Sequence, residues 1–261
     1  RARGRFRLDG SSPLVGDRVE ISLDANGKGR VDKLLPRKNF FIRPAVANID
    51  VLIAVASEVN PVTDPFLIDR VTAFAEHIGC EVVICINKAD AGHQSRLRDI
   101  YATTGYRVIE TSAVTGEGID ELRECIRGKV CAFSGNSGVG KSTLVGALEP
   151  GLALRTGSIS ESHRKGRHTT TFSAMYPLTG GGFLIDTPGI KGFGLIDIDD
   201  HELWHYFPEM MRIGAGCRFY NCTHTHEPGC AVREAVARGE VARSRYESYL
   251  KIRDEDDKYR K

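Results

Sequence analysis

The pattern of apolar and polar positions divides the chain into three stretches. In the first, residues 1–36, two short strand-like runs at 17–23 and 29–35 flank Asp24-Ala25-Asn26-Gly27, a hairpin turn signal. Pro36 and Pro44 then bracket a connector. From about residue 49 the pattern alternates between strand and helix. Val51–Ala56 is a continuous apolar run, as a strand buried on both faces requires. Residues 66–78 place Phe66, Leu67, Val71, Phe74, Ala75 and Ile78 at helical spacing, and Gly79 ends the period. A strand at 81–86, a helix near 94–104, a strand at 107–111 and a helix at 119–127 follow. A strand at 130–134, a helix at 142–148 stopped by Pro150-Gly151, and a strand at 183–186 complete the series. Such alternation predicts an open α/β sheet with ligands at the carboxyl ends of its strands. After about residue 197, candidate helices flank a Cys/His-rich knot at 217–230, and a charged helix closes the chain.

Two of those strand ends carry nucleotide chemistry. The strand at 130–134 runs into Gly135-Asn136-Ser137-Gly138-Val139-Gly140-Lys141-Ser142, a phosphate loop in its proper strand–loop–helix setting. Its glycines allow backbone N–H groups to point inward at phosphates. Lys141 is then expected to reach the β- and γ-phosphates and the Ser142 hydroxyl to ligate magnesium, with Thr143 beside it. Asn87-Lys88-Ala89-Asp90 ends the strand at 81–86 and reads the base. A carboxylate at Asp90 accepts from the guanine N1–H and 2-amino group; adenine offers neither donor, and such sites discriminate by roughly 10⁴-fold or more. Lys88 lays its aliphatic stem along the base, while Asn87 braces the loop. Ser112-Ala113, after the strand at 107–111, suit the loop whose amide meets guanine O6.

Asp186-Thr187-Pro188-Gly189 completes the set, with Asp186 expected to hold a magnesium-bound water and the Gly189 amide to sense the γ-phosphate. The polar, basic stretch 162–171 reads as a switch loop that orders around that phosphate. Thr169 or Thr170 offers the second magnesium hydroxyl, and spacing does not choose between them. Where a water-orienting glutamine commonly follows the glycine, this chain has Ile190, so intrinsic hydrolysis is expected to be slow. His168 is the candidate catalytic group, against the plainer reading of an exposed loop histidine. The guanine motif precedes the phosphate loop by about fifty residues, the reverse of the ordinary order. A GTPase domain with circularly permuted segments is the simplest reading.

Composition changes this picture at three points. The chain is 41% hydrophobic and 27% charged, ordinary for a soluble protein. No apolar run approaches the roughly 18 residues of a membrane span, and no secretion signal is visible, so a cytoplasmic protein without a membrane partner is expected. The chain opens on Arg1 rather than methionine, and a start segment is expected upstream. Residues 1–43 carry eleven Lys/Arg against five Asp/Glu, which leaves the remainder net acidic. Arg1, Arg3, Arg5 and Arg7 would share one face of a strand, which suits a phosphate backbone; a solvated edge strand is the alternative. Of seven cysteines, Cys80, Cys85, Cys125 and Cys131 are scattered among apolar residues and read as buried hydrophobes. Cys217, Cys222 and Cys230 cluster with His224 and His226. Three thiolates and one imidazole make a closed tetrahedral zinc shell, hence a structural site; spacing leaves His226 as a rival to His224.

These motifs together resemble the ribosome small-subunit-dependent GTPase A family of circularly permuted GTPases. The resemblance runs from Leu35-Pro36-Arg37-Lys38-Asn39 and the segment 43–50, through both nucleotide motifs and Gly166-Arg167-His168-Thr169-Thr170, to Glu227-Pro228-Gly229-Cys230. It implies an N-terminal OB-fold over 1–42, a permuted GTPase domain over 43–197 and a helical zinc domain over 198–261. It also favours His224 as the zinc ligand. The implied activity is GTP hydrolysis to GDP and phosphate with magnesium, stimulated by the small ribosomal subunit in late subunit assembly. The implied partners of a monomeric protein are that subunit and its ribosomal RNA. Residues 1–36 are too few for a five-stranded barrel, so its first strands are expected to be absent or the barrel incomplete. An RNA-bound guanine-nucleotide sensor with incidental hydrolysis is the alternative function. A phosphate-loop kinase or ATPase is disfavoured by Asp90.

Overall fold

A computed structural model describes residues 12–24, 26–41, 45–92, 94–152, 173–186, 198–199 and 201–259, with backbone alone for Asp186 and 256–259. The N-terminal hairpin pairs β1 (Val19–Leu23) with β2 (Gly29–Leu34) antiparallel. Asp24 builds its turn, accepting from the Asn26 and Lys28 amides. The connector foreseen between Pro36 and Pro44 contains a strand of its own, β3 (Phe40–Phe41), paired with β4 (Val46–Ala47). Two-residue strands are too short to show a period, so the sequence pattern could not reveal them. The hairpin is tied to this second pair through Asp17, whose carboxylate takes two hydrogen bonds from the Arg37 guanidinium.

The main sheet has six strands in the order β7-β6-β5-β8-β10-β9. Strands β5 (Val51–Ala56), β6 (Glu81–Asn87), β7 (Arg107–Thr111), β8 (Val130–Ser134) and β10 (Phe183–Asp186) are parallel, while β9 (Ala174–Pro177) is an antiparallel edge. All six residues of β5 are buried, because the strand alternates between two cores. Val51, Ile53 and Val55 join the core beneath α3 (Ile119–Ile126) and α4 (Lys141–Leu148). Leu52, Ala54 and Ala56 join the opposite core, under α1 (Pro65–His77) and α2 (Arg96–Tyr101). This is the continuous apolar run of a doubly covered parallel strand. Asp64 starts α1 by accepting from the Phe66 amide, with Pro65 at its first position. The helix foreseen at 94–104 is shorter, at Arg96–Tyr101; Glu58, buried, receives the Leu97 amide at its start.

Strands β6 and β7 lie to one side of β5, and β8, β10 and β9 to the other. The connections therefore reverse direction between β5 and β8, and the crevice beyond their carboxyl ends is where such sheets bind ligands.

The C-terminal part packs α5 (Pro208–Gly214), α6 (Ala231–Arg238) and α7 (Arg243–Tyr259) around a third core with Leu203, Phe207, Met210, Val232 and Tyr249. It seats on α1. Arg245 of α7, fully buried, reaches Asp69 of α1 at 2.9 Å and Glu209 of α5 at 2.8 Å, with the Phe207 ring 4.6 Å from its guanidinium carbon. Arg70–Glu255 and Lys251 over the Phe66 ring extend the same seam. Among the described residues no helix is long and apolar enough to cross a membrane.

Candidate nucleotide site and metal cluster

The phosphate loop leaves β8 at the switch point and closes on α4, whose first residue is Lys141. Gly135 has φ +148°, and a Cβ there would meet the Val55 carbonyl oxygen at 2.2 Å. Gly140 has φ +94°, and a Cβ there would meet Asn87 Nδ2 at 2.4 Å. Both glycines are thus demanded by backbone shape and by close neighbours. Val139 is fully buried and anchors the loop in the core, leaving Ser137, Gly138, Ser142 and Thr143 exposed. Lys141 Nζ donates to the Gly135 and Asn136 carbonyls at 2.6 and 2.7 Å, which holds the ammonium beneath the loop. Burial pulls its pKa down from the usual lysine value; phosphate oxygens opposite it would favour the charged form.

The base motif stands next to this loop. Asn87, at the end of β6, donates to the Val139 carbonyl at 2.9 Å and accepts from the Thr111 hydroxyl at 3.1 Å. The bracing role expected of Asn87 is therefore concrete: one side chain joins β6, β7 and the phosphate loop. Lys88 adopts a left-handed backbone (φ 72°) and its ammonium reaches the Asn60 carbonyl. Asp90 lies in a short turn, Ala89–Ala91, and accepts from the Ser112 hydroxyl at 2.5 Å. That hydroxyl also accepts from the Val114 and Thr115 amides, so the loop carrying Ala113 is fixed to Asp90.

The structure thus brings together Asn87, Lys88, Ala89, Asp90, Ser112, Ala113 and the loop from Gly135 to Thr143. His168, Thr169, Thr170 and Gly189 lie outside the described residues, as does Ile190. Asp186 ends β10, parallel to β8, but its side chain is also outside them. The sequence reading missed the loop after β5. There, Asn60 meets Lys88, and Pro61 stands 3.3 Å from the Cβ position of Gly138. No motif marks this loop; Pro61 just beyond a buried strand was its only signal.

The metal cluster joins Cys217, Cys222, His224 and Cys230, whose ligand atoms lie within 4.8 Å of one another. His224 Nδ1 stands 3.5 Å from Cys217 Sγ and 3.4 Å from Cys230 Sγ, and those two sulfurs are 4.0 Å apart. The edges of a zinc tetrahedron with bonds of about 2.0–2.3 Å are about 3.5–3.8 Å, so the donor set fits zinc. Burial pushes the Cys222 thiol up to about 12 and raises Cys230, so thiolates gathered here need a cation. Burial also lowers the His224 pKa, favouring the neutral imidazole that ligates metal. His226 is exposed, with Nδ1 2.8 Å from the Thr225 hydroxyl, and stands outside the cluster.

The shell is supported from three sides. Tyr246 and Tyr249 of α7 donate their hydroxyls to the His224 and Thr223 carbonyls at 2.7 and 2.6 Å. Trp204 sets its ring edge-on to His224, with centroids 4.7 Å apart. Glu227 accepts from the Thr223, Thr225 and His226 amides and the Thr223 hydroxyl. Burial alone would raise its pKa, but these bonds prevail and hold it far below the ordinary glutamate value. The scattered cysteines behave as expected: Cys80, Cys85, Cys125 and Cys131 are buried, and burial pushes Cys80, Cys85 and Cys131 up to about 12.

A phosphate loop at the switch point of a largely parallel sheet, with a guanine motif locked to it from an earlier strand, defines a GTPase of permuted segment order. Family profiles agree: the RsgA GTPase profile matches residues 34–196 and the RsgA N-terminal domain profile residues 1–31. The chain belongs to the RsgA GTPase family and is a GTP-hydrolysing enzyme. It is 45% identical to the small ribosomal subunit biogenesis GTPase RsgA of Bacteroides fragilis, over 99% of this chain and 90% of that protein. The protein of the same name from Porphyromonas gingivalis is also 45% identical, over 98% and 89%. YjeQ from Thermotoga maritima superposes with a TM-score of 0.82 at 40% identity, covering 98% of this chain and 88% of that one. YloQ, described as a circularly permuted GTPase, gives 0.79 at 30% identity, covering 100% and 86%.

Proposed function

We propose that this protein acts in assembly of the small ribosomal subunit, binding the subunit and its ribosomal RNA with GTP and leaving after hydrolysis. The reading rests on one observation above all: the Asn87 amide joins the guanine motif to the phosphate loop, so the permuted segments bring base-reading and phosphate-binding loops together. The biological setting is carried by relatives named for small-subunit biogenesis at 45% identity over nearly the whole chain. On this reading the protein works in the cytoplasm as a monomer, and we assign it an N-terminal RNA-binding domain over 1–42, the GTPase domain over 43–197 and a zinc domain over 198–261.

Each residue of the pocket has a part. Asp90 accepts from the guanine edge, Ser112 holds that carboxylate, and the Ala113 amide meets guanine O6. Lys88 packs its stem along the base. Amides from Asn136 to Thr143 and the Lys141 ammonium surround the phosphates, where charge spreads over the transferring group's oxygens. Ser142, Asp186 and one of Thr169 and Thr170 would hold magnesium, which would supply charge neutralisation at the phosphates. Gly189 donates its amide to the γ-phosphate. Because Ile190 has no group to orient water, His168 is assigned that task, with the subunit bringing it into place. Cys217, Cys222, His224 and Cys230 hold one structural zinc.

The test is co-sedimentation with purified small subunits. The protein should pellet with subunits in a non-hydrolysable GTP analogue and remain in the supernatant with GDP. Equal binding in both nucleotides, or none in either, would remove the assembly cycle proposed here.

A further inference from the structure

Between the zinc ligands Cys217 and Cys222 the loop turns outward and exposes Arg218, Phe219, Tyr220 and Asn221. Tyr220 is fully exposed at 101% and Phe219 is 40% exposed. The Arg218 guanidinium lies over the Phe219 ring, 5.5 Å from its centroid. The loop is held rigid at its base, since the Arg218 amide donates to the Gly229 carbonyl and the Cys222 amide to the Phe219 carbonyl. With two metal ligands at its ends, two aromatic rings are presented to solvent at a fixed place. Beside Phe219 runs a cleft of about 430 Å³, lined also by His201, Asn221, Thr223, His226, Glu227 and Pro228.

We propose that this tip docks unpaired bases of single-stranded RNA, one stacked on Tyr220 and a neighbour lodged in the cleft against Phe219. The proposal rests on the reading that the protein binds ribosomal RNA, and it names where and how. Three observations select RNA over a protein partner. Among described residues 198–255, the exposed large apolar side chains are Met211, on α5, and these two aromatics. Such a patch is far below the roughly 800 Å² a side that a stable protein interface takes, but it matches one or two bases. Arg218 is exposed and offers a cation to a phosphate, while the Glu227 carboxylate in the cleft wall has its acceptor positions taken by the Thr223, Thr225 and His226 amides and is held away from the exposed tip. Asn221, exposed in the cleft, offers a donor and an acceptor to a base edge.

The experiment uses the full chain with a 12-nucleotide oligouridylate, a 12-base-pair RNA duplex and purified small subunits as probes. Tyr220→Ala touches no described partner and should leave folding, zinc content and basal GTP turnover unchanged. It should weaken oligouridylate and subunit binding about 5- to 150-fold, the worth of one stacked base, without changing the salt slope. Arg218→Ala should reduce that slope by about 0.7 for each phosphate the side chain had neutralised. Tyr220→Trp should retain affinity, and its new fluorescence should be quenched by the single strand and not by the duplex. Unchanged oligouridylate affinity in Tyr220→Ala would overturn the proposal. Loss of subunit binding alone, with single-strand binding intact, would overturn it in favour of a protein contact. If wild type ignored subunits yet kept the Tyr220-dependent single-strand binding, the assembly role would fall and this surface would stand.

Discussion

Asn87 holds the nucleotide pocket together with one planar amide. Its nitrogen donates to Val139 in the phosphate loop and its oxygen accepts from Thr111 on β7, and it is 3% exposed. Removing it takes a donor from the buried Val139 carbonyl and leaves the Thr111 hydroxyl only the Cys85 thiol, 3.2 Å away, which costs about 1–3 kcal/mol. Asn87→Ala is therefore expected to weaken GDP binding about tenfold or more, read by titration calorimetry, while the far-ultraviolet spectrum is kept. Gly140→Ala should do at least as much, because its Cβ would collide with that same amide on a backbone at φ +94°. The motif residues were legible because phosphate and guanine chemistry dictate their types and order. Asn60 and Pro61 were not, since one contributes a backbone carbonyl and the other bare contact. Thiol chemistry separates the two cysteine groups. With zinc removed by a chelator the knot loses the bonds that hold it closed, so a disulfide reagent should label Cys217, Cys222 and Cys230 well before Cys80, Cys85 and Cys131, which stay buried in the sheet's cores whether or not zinc is bound. Equal labelling rates would contradict the cluster.

Helix α1 has two masters. Ala75 is buried in the sheet core with Val71, Phe74 and Ile78 packed against it, as the apolar period required; Ile68, outside that period, joins them, and Asp69 and Thr72 are buried too. Their partner is Arg245, 176 and 173 positions away, so nothing local in the sequence could announce them. Cutting one member of a fully buried ion cluster strands the others, at a cost of about 3–5 kcal/mol. Arg245→Ala should accordingly lower the melting temperature by roughly 10 °C, at about 2–4 °C per kcal/mol for a chain of this size. Edge strand β9 escaped the sequence reading for a different reason: three half-buried residues followed by an exposed Pro177 carry no alternation. The metal loop adds a pH signature. Glu227 has its folded pKa depressed, so its stabilising share is present above the ordinary glutamate value of 4.5 and is lost as pH falls toward the depressed one. At neutral pH, Glu227→Gln should release zinc to a chelator faster than wild type, followed with a metal-sensitive dye.

Across the whole molecule, the permuted order decides what is attached to what. The GTPase sheet was readable from periodicity, because strands buried on both faces must be apolar throughout. The seating of the C-terminal part on α1 was not, because it depends on charged and aromatic contacts between distant segments. That seam fixes the zinc cluster to the guanine side of the sheet, while the chain from β10 onward links the same cluster to Asp186. The proposed function requires such a body to turn over GTP faster when the subunit engages it. The most direct measurement is steady-state GTP turnover with and without purified small subunits, using Lys141→Ala as the inactive control. Slow turnover alone and a rise of about 10³–10⁵-fold with subunits, absent in Lys141→Ala, is the expected result. Turnover that stays flat while subunits are demonstrably bound would contradict the account and leave a nucleotide sensor in its place.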